Sequence, residues 1–190
     1  METRSDLPIE NAVIRAIKER RSIYRFAPES VSEEKIHTVL EAGRWAPSWG
    51  NTQPWKFIVV KDAARRQEIY DIVKSTLMGH VGIEGAPVLI AICVNPKKDP
   101  YHFLEDGAVA TQNMALAAHS LQLASYWIGI FDAKNAKNSV ENRVKKALNV
   151  PQGLRVVAVL PIGLPGYEKS MGRRWLREIT YYDRYGKTSS

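Results

Sequence analysis

The chain has 190 residues, 45% of them hydrophobic and 25% charged, a composition typical of globular proteins. This length predicts about one domain, which can bury roughly 70% of its extended surface without disulfides or metal. The single Cys93 excludes an internal disulfide framework and multi-cysteine metal sites. No apolar run approaches the ~20 residues that a membrane span needs. We therefore expect one cytoplasmic domain over residues 1–190, with no membrane segment.

The net charge of +7 is unevenly distributed along the chain. Residues 1–25 carry +2 and residues 26–133 carry −3, whereas residues 134–190 hold twelve basic and four acidic side chains. A basic C-terminal third favours an anionic partner, which could be nucleic acid, a phosphorylated small molecule or an acidic surface. The charge alone does not choose among these partners.

The hydrophobic pattern predicts strands that alternate with helices. In chain order, the pattern predicts a helix over 8–19, a helix capped by Ser32 that ends by Pro47, a strand over Trp55–Val60, a helix over 63–77, a strand over Val88–Val94, a long helix over 106–124, a strand over 126–131, a helix near 135–148 and a strand over 155–162. This alternation indicates an α/β or α+β fold, with a sheet between layers of helices.

Residues 164–190 form an unusual C-terminal arm. The arm contains Trp175, Tyr181, Tyr182 and Tyr185, which are too many aromatic residues for a disordered end. Its β-rich segment 179–182 is a candidate strand, and a terminal strand after a long arm can cross onto a partner subunit.

Most familiar catalytic motifs are absent from the sequence. No two of the twelve glycines are two residues apart, so there is no Gly-x-Gly of a Rossmann dinucleotide site. The four histidines lack close ligand spacing, which argues against a metal site, and there is no Gly-x-Ser-x-Gly elbow. Cys93 lies inside an apolar strand, where an inert thiol is expected. If the protein is an enzyme, we expect a cofactor to carry the reaction.

The first positive feature is a basic segment at the end of the first predicted helix. Arg20, Arg21 and Arg25 lie within six residues, together with Ser22 and Tyr24. Three guanidinium groups and a hydroxyl could bind a phosphate through charge-assisted hydrogen bonds. The alternative is that arginines at a helix C-terminus are favoured by the helix dipole and are simply solvated.

Three further features are candidates for binding a flat ligand. The turn-rich loop with Pro47, Ser48, Trp49 and Asn51 offers polar and aromatic groups, although its tryptophans could instead fill the core. A backbone with no side chain at Gly129 lets a flat group approach closely, or marks a tight bend. The last candidates in chain order are Arg173 and Arg174 in the arm, which could equally be a solvated surface.

Taken together, these blocks resemble the nitroreductase-like FMN oxidoreductases over most of the chain. In order, the blocks are Arg20-Arg21-Ser22-Ile23-x-x-Phe26; Glu41-Ala42-Gly43-Arg44-Trp45-Ala46-Pro47-Ser48 with Asn51 and Gln53-Pro54-Trp55; Asp106-x-Ala108-x-Ala110 with Gln112-Asn113; Trp127-Ile128-Gly129-Ile130-Phe131-Asp132; and Pro161-Ile162-Gly163-Leu164-Pro165 with Arg173-Arg174 and Tyr182-Asp183-Arg184-Tyr185. Each block alone is weak evidence, but their shared order is strong evidence.

The resemblance implies an α+β sandwich with a mainly antiparallel mixed sheet, whose C-terminal arm adds a strand to the partner subunit of a homodimer. It also implies two FMN sites at the dimer interface. Arg20, Arg21 and Ser22 would hold the phosphate and ribityl side with Arg173 or Arg174, Ile128 and Gly129 would lie beside the ring, and Pro47, Ser48, Trp49 and Asn51 would come from the other subunit. The implied activity is ping-pong hydride transfer from NADH or NADPH, through FMN, to nitroaromatic, quinone or activated-alkene acceptors, with no catalytic side chain.

Two departures from the family pattern leave parts of the site open. The family often has a basic residue two positions after the serine, where this chain has Tyr24 followed by Arg25. The glycine-rich loop over residues 79–85 lacks the amide or basic residue that the family often supplies there. Alternative functions are dehalogenation or flavin breakdown on the same fold, a flavin-binding protein without turnover, or a nucleic-acid binder that uses the basic arm.

Overall fold

A computed structural model describes residues 9–74, 83, 85–166 and 172–188 of the chain. The helices in these ranges are α1 (Ala12–Glu19), α2 (Glu33–Arg44), α3 (Ala63–Val73), α4 (Phe103–Ser120) and α5 (Val140–Ala147). The strands are β1 (Trp55–Val60), β2 (Val88–Val94), β3 (Ala124–Ser125), β4 (Ile128–Gly129) and β5 (Arg155–Gly163). Short 3₁₀ turns occur at Trp49–Asn51 and Leu176–Glu178.

Strand β5 is the centre of the sheet. The order is β1-β2-β5-β3, and β4 pairs with the same β5 strand; every pair of named strands is antiparallel. One parallel bridge, between Ser22 and Ser125, attaches the segment after α1 to this sheet. The mainly antiparallel mixed sheet that the resemblance implied is therefore confirmed.

Both faces of the sheet are covered by helices. α3 and α5 pack on one face around Leu89, Ala91 and Cys93, and α2 and α4 pack on the other around Ile90 and Ile92. All seven residues of β2 are buried, as expected for a continuously apolar strand covered on both sides. The α+β sandwich is confirmed.

Four helices begin at side chains that cap their first backbone N–H groups. The oxygens of Asn11, Ser32, Asp62 and Ser139 accept hydrogen bonds from the backbone N–H three residues later, over 2.8–3.4 Å. The predicted Ser32 cap is therefore confirmed. Helix α1 begins at Ala12, because Asn11 caps it there, and Pro8 and the end of the predicted 63–77 helix lie outside the described residues.

Two strand predictions differ from the structure. The expected strand over 126–131 is replaced by the short strands β3 and β4, and the gap between them lies opposite Leu160 and Pro161 of β5. Pro161 has no N–H to donate, so it cannot support a continuous ladder there. Residues 179–182 do not form a strand within the chain. The expected partner of that segment is a second subunit, so strand addition to a partner stays a prediction.

Helix α4 lies very close to the sheet at Gly107. A Cβ atom at this position would come within 2.7 Å of Val157 Cγ2 and 2.8 Å of Val94 Cγ1. Both neighbours are buried β-branched side chains with little rotational freedom. The missing side chain therefore sets the height of the first turns of α4 above the sheet.

We predict that Gly107→Ala lowers the free energy of unfolding by about 1–3 kcal/mol, because overpacking outweighs the better helix propensity of alanine. The matched control is Gly153→Ala, where an added Cβ meets nothing within 4 Å and the expected change is within about 0.5 kcal/mol. Urea denaturation of both variants measures the difference. Equal stability of the two variants would contradict this account of the α4 packing.

Candidate functional site

The basic segment after α1 is fixed along the edge of the sheet by backbone contacts. Ile23 N donates to Ser125 O over 3.1 Å beside the Ser22–Ser125 bridge, and Phe26 forms a second bridge with Pro165. These contacts hold Arg20 through Phe26 in an extended line next to β3. The predicted binding residues Arg20, Arg21 and Ser22 therefore lie at the end of β5 that is nearest Ile162.

Three arginines gather at this edge. Burial lowers the pKa of the Arg20 guanidinium, and the positive charges of Arg173 and Arg21 lower it further. Arg21 Nη1 donates to the carbonyl oxygens of Lys18 and Arg20, while its Nε is buried with no hydrogen-bond partner. Within the described ranges no acidic side chain forms an ion pair with Arg20 or Arg21. An anion bound here would relieve the repulsion and give the buried N–H an acceptor.

The structure brings Arg173 to this cluster, in agreement with the sequence analysis, but gives Arg174 a different partner. Arg174 is exposed and its Nε donates to Glu178 over 3.3 Å. Arg25 is also exposed. Within one chain, the predicted arginines that the structure brings together are therefore Arg20, Arg21 and Arg173.

Tyr24 is oriented by the core. Its ring packs edge-on against Tyr126, with 4.5 Å between the ring centroids, and both rings belong to the cluster under α3 and α5. Burial and the neighbouring Tyr24 raise the pKa of Tyr126. Tyr24 thus places an aromatic ring, and no basic side chain, at the position where the family often has a basic residue.

The loop over residues 47–53 has a tightly specified backbone. Gly50, Asn51 and Gln53 have φ angles of +54°, +56° and +46°, a region that glycine and asparagine tolerate best. The Ser48 hydroxyl accepts from Gln53 N over 3.0 Å, and Asn51 Oδ1 accepts from Gln53 Nε2 over 3.1 Å. The Thr52 hydroxyl is buried without a hydrogen-bond partner. The loop is held in a single shape before any ligand binds.

The three tryptophans around this loop have different environments. Trp55 is buried in the core, whereas Trp45 and Trp49 are 71% and 49% exposed. The Trp49 ring contacts Tyr101 and His102, with ring centroids 5.7 and 6.0 Å apart. Trp49 N donates to Asp106 Oδ1 over 3.1 Å, which anchors the loop to the first turn of α4. We did not identify this anchoring role from the sequence; the only signal was an acidic residue at the start of an apolar helix.

Strand β4 presents its backbone to the edge of the sheet. The Ile128 side chain is only 2% exposed and belongs to the core, so only its main chain can face a ligand. Gly129 is exposed, and a Cβ there would meet just Trp127 Nε1 at 3.7 Å, an ordinary contact. The fold of one chain therefore does not require glycine at this position, and the exposed backbone there has room for another molecule to approach closely.

The predicted site residues form two separate groups in one chain. Ser22 pairs with Ser125, which in turn pairs with Ile162 near one end of β5. Trp55, just after the 47–53 loop, pairs with Val94, which in turn pairs with Arg155 at the other end of β5. Seven residues of β5 separate these two positions, or about 23 Å at ~3.3 Å per residue. A single chain therefore does not bring the loop to the arginines.

Cys93 provides no nucleophile. Burial raises the pKa of its thiol to about 12, so the thiolate is absent at neutral pH. In the described part of the chain there is no cluster of three or more His, Cys, Asp or Glu side chains arranged to hold a metal ion. The same ranges contain no helix with the length and apolar character of a membrane span.

The helices and the sheet define an α+β domain with arginines gathered at one edge of the sheet, and comparisons with known proteins identify the family that has this fold. The profile described as the Nitroreductase family matches residues 17–80 and 73–164. An Archaeoglobus fulgidus protein provisionally named NADH dehydrogenase/NAD(P)H nitroreductase is 31% identical over 159 residues, which cover 82% of this chain and 87% of that protein.

Two solved structures extend this likeness to the fold. The FMN-dependent nitroreductase of Clostridium difficile R20291 superimposes with a TM-score of 0.81 at 26% identity, covering 90% of this chain and 99% of that one. A nitroreductase with bound FMN from Bacteroides fragilis gives a TM-score of 0.72 at 26% identity, covering 90% and 98%. The chain belongs to the nitroreductase family, so the prediction of an oxidoreductase of this family is confirmed.

We predict that Cys93 in the native protein resists alkylation by iodoacetamide at pH 8, because its thiol is buried and protonated. The same protein in denaturant is expected to react at the rate of a free thiol. Mass spectrometry after timed quenching measures both rates. Rapid modification of the native protein would contradict the burial of this residue.

Proposed function

We propose that the protein is an FMN-dependent oxidoreductase that takes hydride from NADH or NADPH and passes it to an oxidised acceptor in a ping-pong cycle. The observation that supports this most strongly is the gathering of Arg20, Arg21 and Arg173, with the buried Nε of Arg21 lacking a hydrogen-bond acceptor, beside the exposed backbone of β4. A phosphate matches the first feature and a flat ring matches the second. Bound FMN would supply the hydride chemistry.

The residues present fit this cofactor. Arg20, Arg21 and Ser22 would hold the phosphate and ribityl side, and Arg173 would add a third guanidinium. Arg174 remains a second candidate from the arm. Gly129 pairs with Ala158 of β5, and Ser22 is linked through Ser125 to Ile162 of the same strand. These two β5 positions are four residues, or about 13 Å, apart, so a ligand lying along the sheet edge could contact both segments. The backbone at Ile128–Gly129 would then face the ring.

A homodimer would complete the site. The 47–53 loop lies at the opposite end of the sheet from the arginines, so Pro47, Ser48, Trp49 and Asn51 would reach the cofactor only from a second copy. Large apolar side chains are also exposed on α1, just before it and on the arm, as expected for a surface that a second subunit covers. These residues are Ile9, Val13, Ile17, Trp175, Leu176, Ile179, Tyr181, Tyr182 and Tyr185.

The side chains of this chain orient and enclose the reactants and carry no covalent step. The charged cluster fixes one end of the cofactor, while the preshaped loop and exposed Trp49 border the place where the acceptor enters. An accessible pocket of this kind suits planar acceptors such as nitroaromatic compounds and quinones. Because Tyr24 occupies the position where the family often has a basic residue, this position would place no positive charge at the edge of the flavin ring.

Reductive dehalogenation is a second candidate, because one relative carries that chemistry in its name. Iodotyrosine deiodinase 1 of Rattus norvegicus is 28% identical over 178 residues, covering 78% of this chain and 60% of that protein. The same cofactor site would serve both reactions. Product analysis after a single turnover, with a halogenated phenol and a nitroaromatic offered separately, distinguishes them.

We predict that the purified protein is yellow or becomes so with FMN, that NADH or NADPH bleaches the flavin absorbance, and that a nitroaromatic or quinone restores it. Anaerobic stopped-flow spectroscopy measures each half-reaction. A flavin that binds but is not reduced would support a binding protein without turnover. A colourless protein that takes up no FMN and binds nucleic acid with a steep salt dependence would support the nucleic-acid alternative.

We predict that Arg20→Ala weakens FMN binding about tenfold to a hundredfold, because a charge-assisted contact is worth ~1.5–3 kcal/mol. Arg143→Ala is the matched control, since Arg143 is an exposed arginine on α5 outside the predicted site. Flavin fluorescence titration of the two apoproteins gives the two dissociation constants. Equal constants would contradict the phosphate assignment.

A further inference from the structure

Two buried carboxyl groups meet between the 47–53 loop and the start of α4. Asp99 is fully buried and Asp106 is 5% exposed. Asp99 Oδ1 accepts from Tyr101 N and His102 N over 3.0 and 2.9 Å, and Asp106 Oδ1 accepts from Trp49 N over 3.1 Å. The Oδ2 atoms of both residues are buried, and neither has a hydrogen-bond donor.

Two ionised carboxylates in this arrangement would face each other without a proton between them. A carboxylate only accepts hydrogen bonds, so two of them can hydrogen-bond to each other only if one is protonated. The side chains of Asp99 and Asp106 lie close enough for each to shift the pKa of the other. A single proton satisfies both orphaned Oδ2 atoms at once, whereas two negative charges would repel in a site shielded from water.

We propose that Asp99 and Asp106 share one proton, and that this proton joins the 47–53 loop to residues 99–102 and so positions the aromatic cluster of Trp49, Tyr101 and His102. Asp99 accepts hydrogen bonds from the backbone of residues 101 and 102, and Asp106 accepts one from the backbone of Trp49 in the 47–53 loop. The pair acts as a positioning element, because it reaches the proposed flavin site only through Trp49.

The environment assigns the proton to Asp106. Burial raises the pKa of Asp106, and the hydrogen bond and negative charge of Asp99 raise it further, against the effects of Trp49 N and His102. Burial also acts to raise the pKa of Asp99, but the backbone N–H groups of His102 and Tyr101 and the bond from Asp106 lower it overall. Glu105 is an exposed acidic residue on the same side, and its Oε1 lies 3.9 Å from Nδ1 of His102.

The raised pKa of Asp106 predicts the direction of the pH effect. A carboxyl that binds its proton more tightly in the folded state stabilises the fold at low pH. This contribution is lost as the pH rises from the ordinary Asp value of 3.8 through the raised folded value. Above that value the two charges repel, and the loop and the 99–102 segment separate.

The test uses the full chain, in which Asp106→Asn replaces the proton donor with a neutral amide that keeps both contacts. We expect carboxyl ¹³C NMR of the wild type to show one Asp that titrates clearly above 3.8, and Asp106→Asn to abolish that titration. We also expect the Tm of the wild type to fall by several degrees relative to Asp106→Asn as the pH rises through the value at which this Asp titrates. Glu105→Gln is the control and should keep the wild-type pH dependence.

A double variant keeps the test decisive if one single variant folds poorly. Asp99→Asn or Asp106→Asn alone still places one amide donor against one oxygen acceptor. With both substitutions two amide donors face each other, so the double variant should lose more stability than the sum of the single changes. An unchanged titration in Asp106→Asn, no Asp titrating above its usual range, or additive substitutions would overturn the proposal. The link to flavin binding rests on the proposed function, but these readouts need no flavin, so the two failures are distinguishable.

Discussion

The antiparallel register of β5 determines where every candidate site residue lies. Near one end of β5, Ile162 pairs with Ser125, which also pairs with Ser22 in the arginine segment. At the other end, Arg155 pairs with Val94, which pairs with Trp55 next to the 47–53 loop. A strand is nearly inextensible, so these two positions stay about 23 Å apart. Any site that uses both groups must be assembled from more than one chain. The geometry of one strand is thus the physical basis for proposing a dimeric enzyme.

Electrostatics gives each end of the sheet a different character. At one end Arg20, Arg21 and Arg173 are held close together, and the buried Nε of Arg21 has no hydrogen-bond acceptor. At the other end two buried carboxyl groups, Asp99 and Asp106, hold two loops by their backbones. The first arrangement favours binding an anion, and the second favours keeping the aromatic surface in place. Only part of the +7 net charge is explained by the arginine cluster.

Short sequence patterns predicted the helix start and the buried strand correctly, but they did not predict contacts between residues that are far apart in the chain. Ser32 identified its helix start and the continuous apolar run identified β2, because caps and burial depend on adjacent residues. The break between β3 and β4 depends on Pro161, more than thirty residues away in the chain, and was missed. The contact between Asp99 and Asp106 was not predicted either, because the sequence around each residue does not indicate that it lies beside another buried carboxyl group. The predicted phosphate contact of Arg173 or Arg174 came only from the family resemblance, because no local pattern indicates it.

In the proposed dimer each FMN site combines Arg20 of one chain with the 47–53 loop of the other, and this arrangement can be tested by mixing two defective variants. Arg20→Ala removes a phosphate contact, and Asn51→Ala removes a side chain that suits a positive φ. Each variant alone should bind little FMN. After the two are unfolded and refolded together, half of the dimers are mixed, each with one intact site, so FMN occupancy should recover to about a quarter of the wild-type value. No recovery in the mixture would show that both groups act within one chain and would contradict the claim.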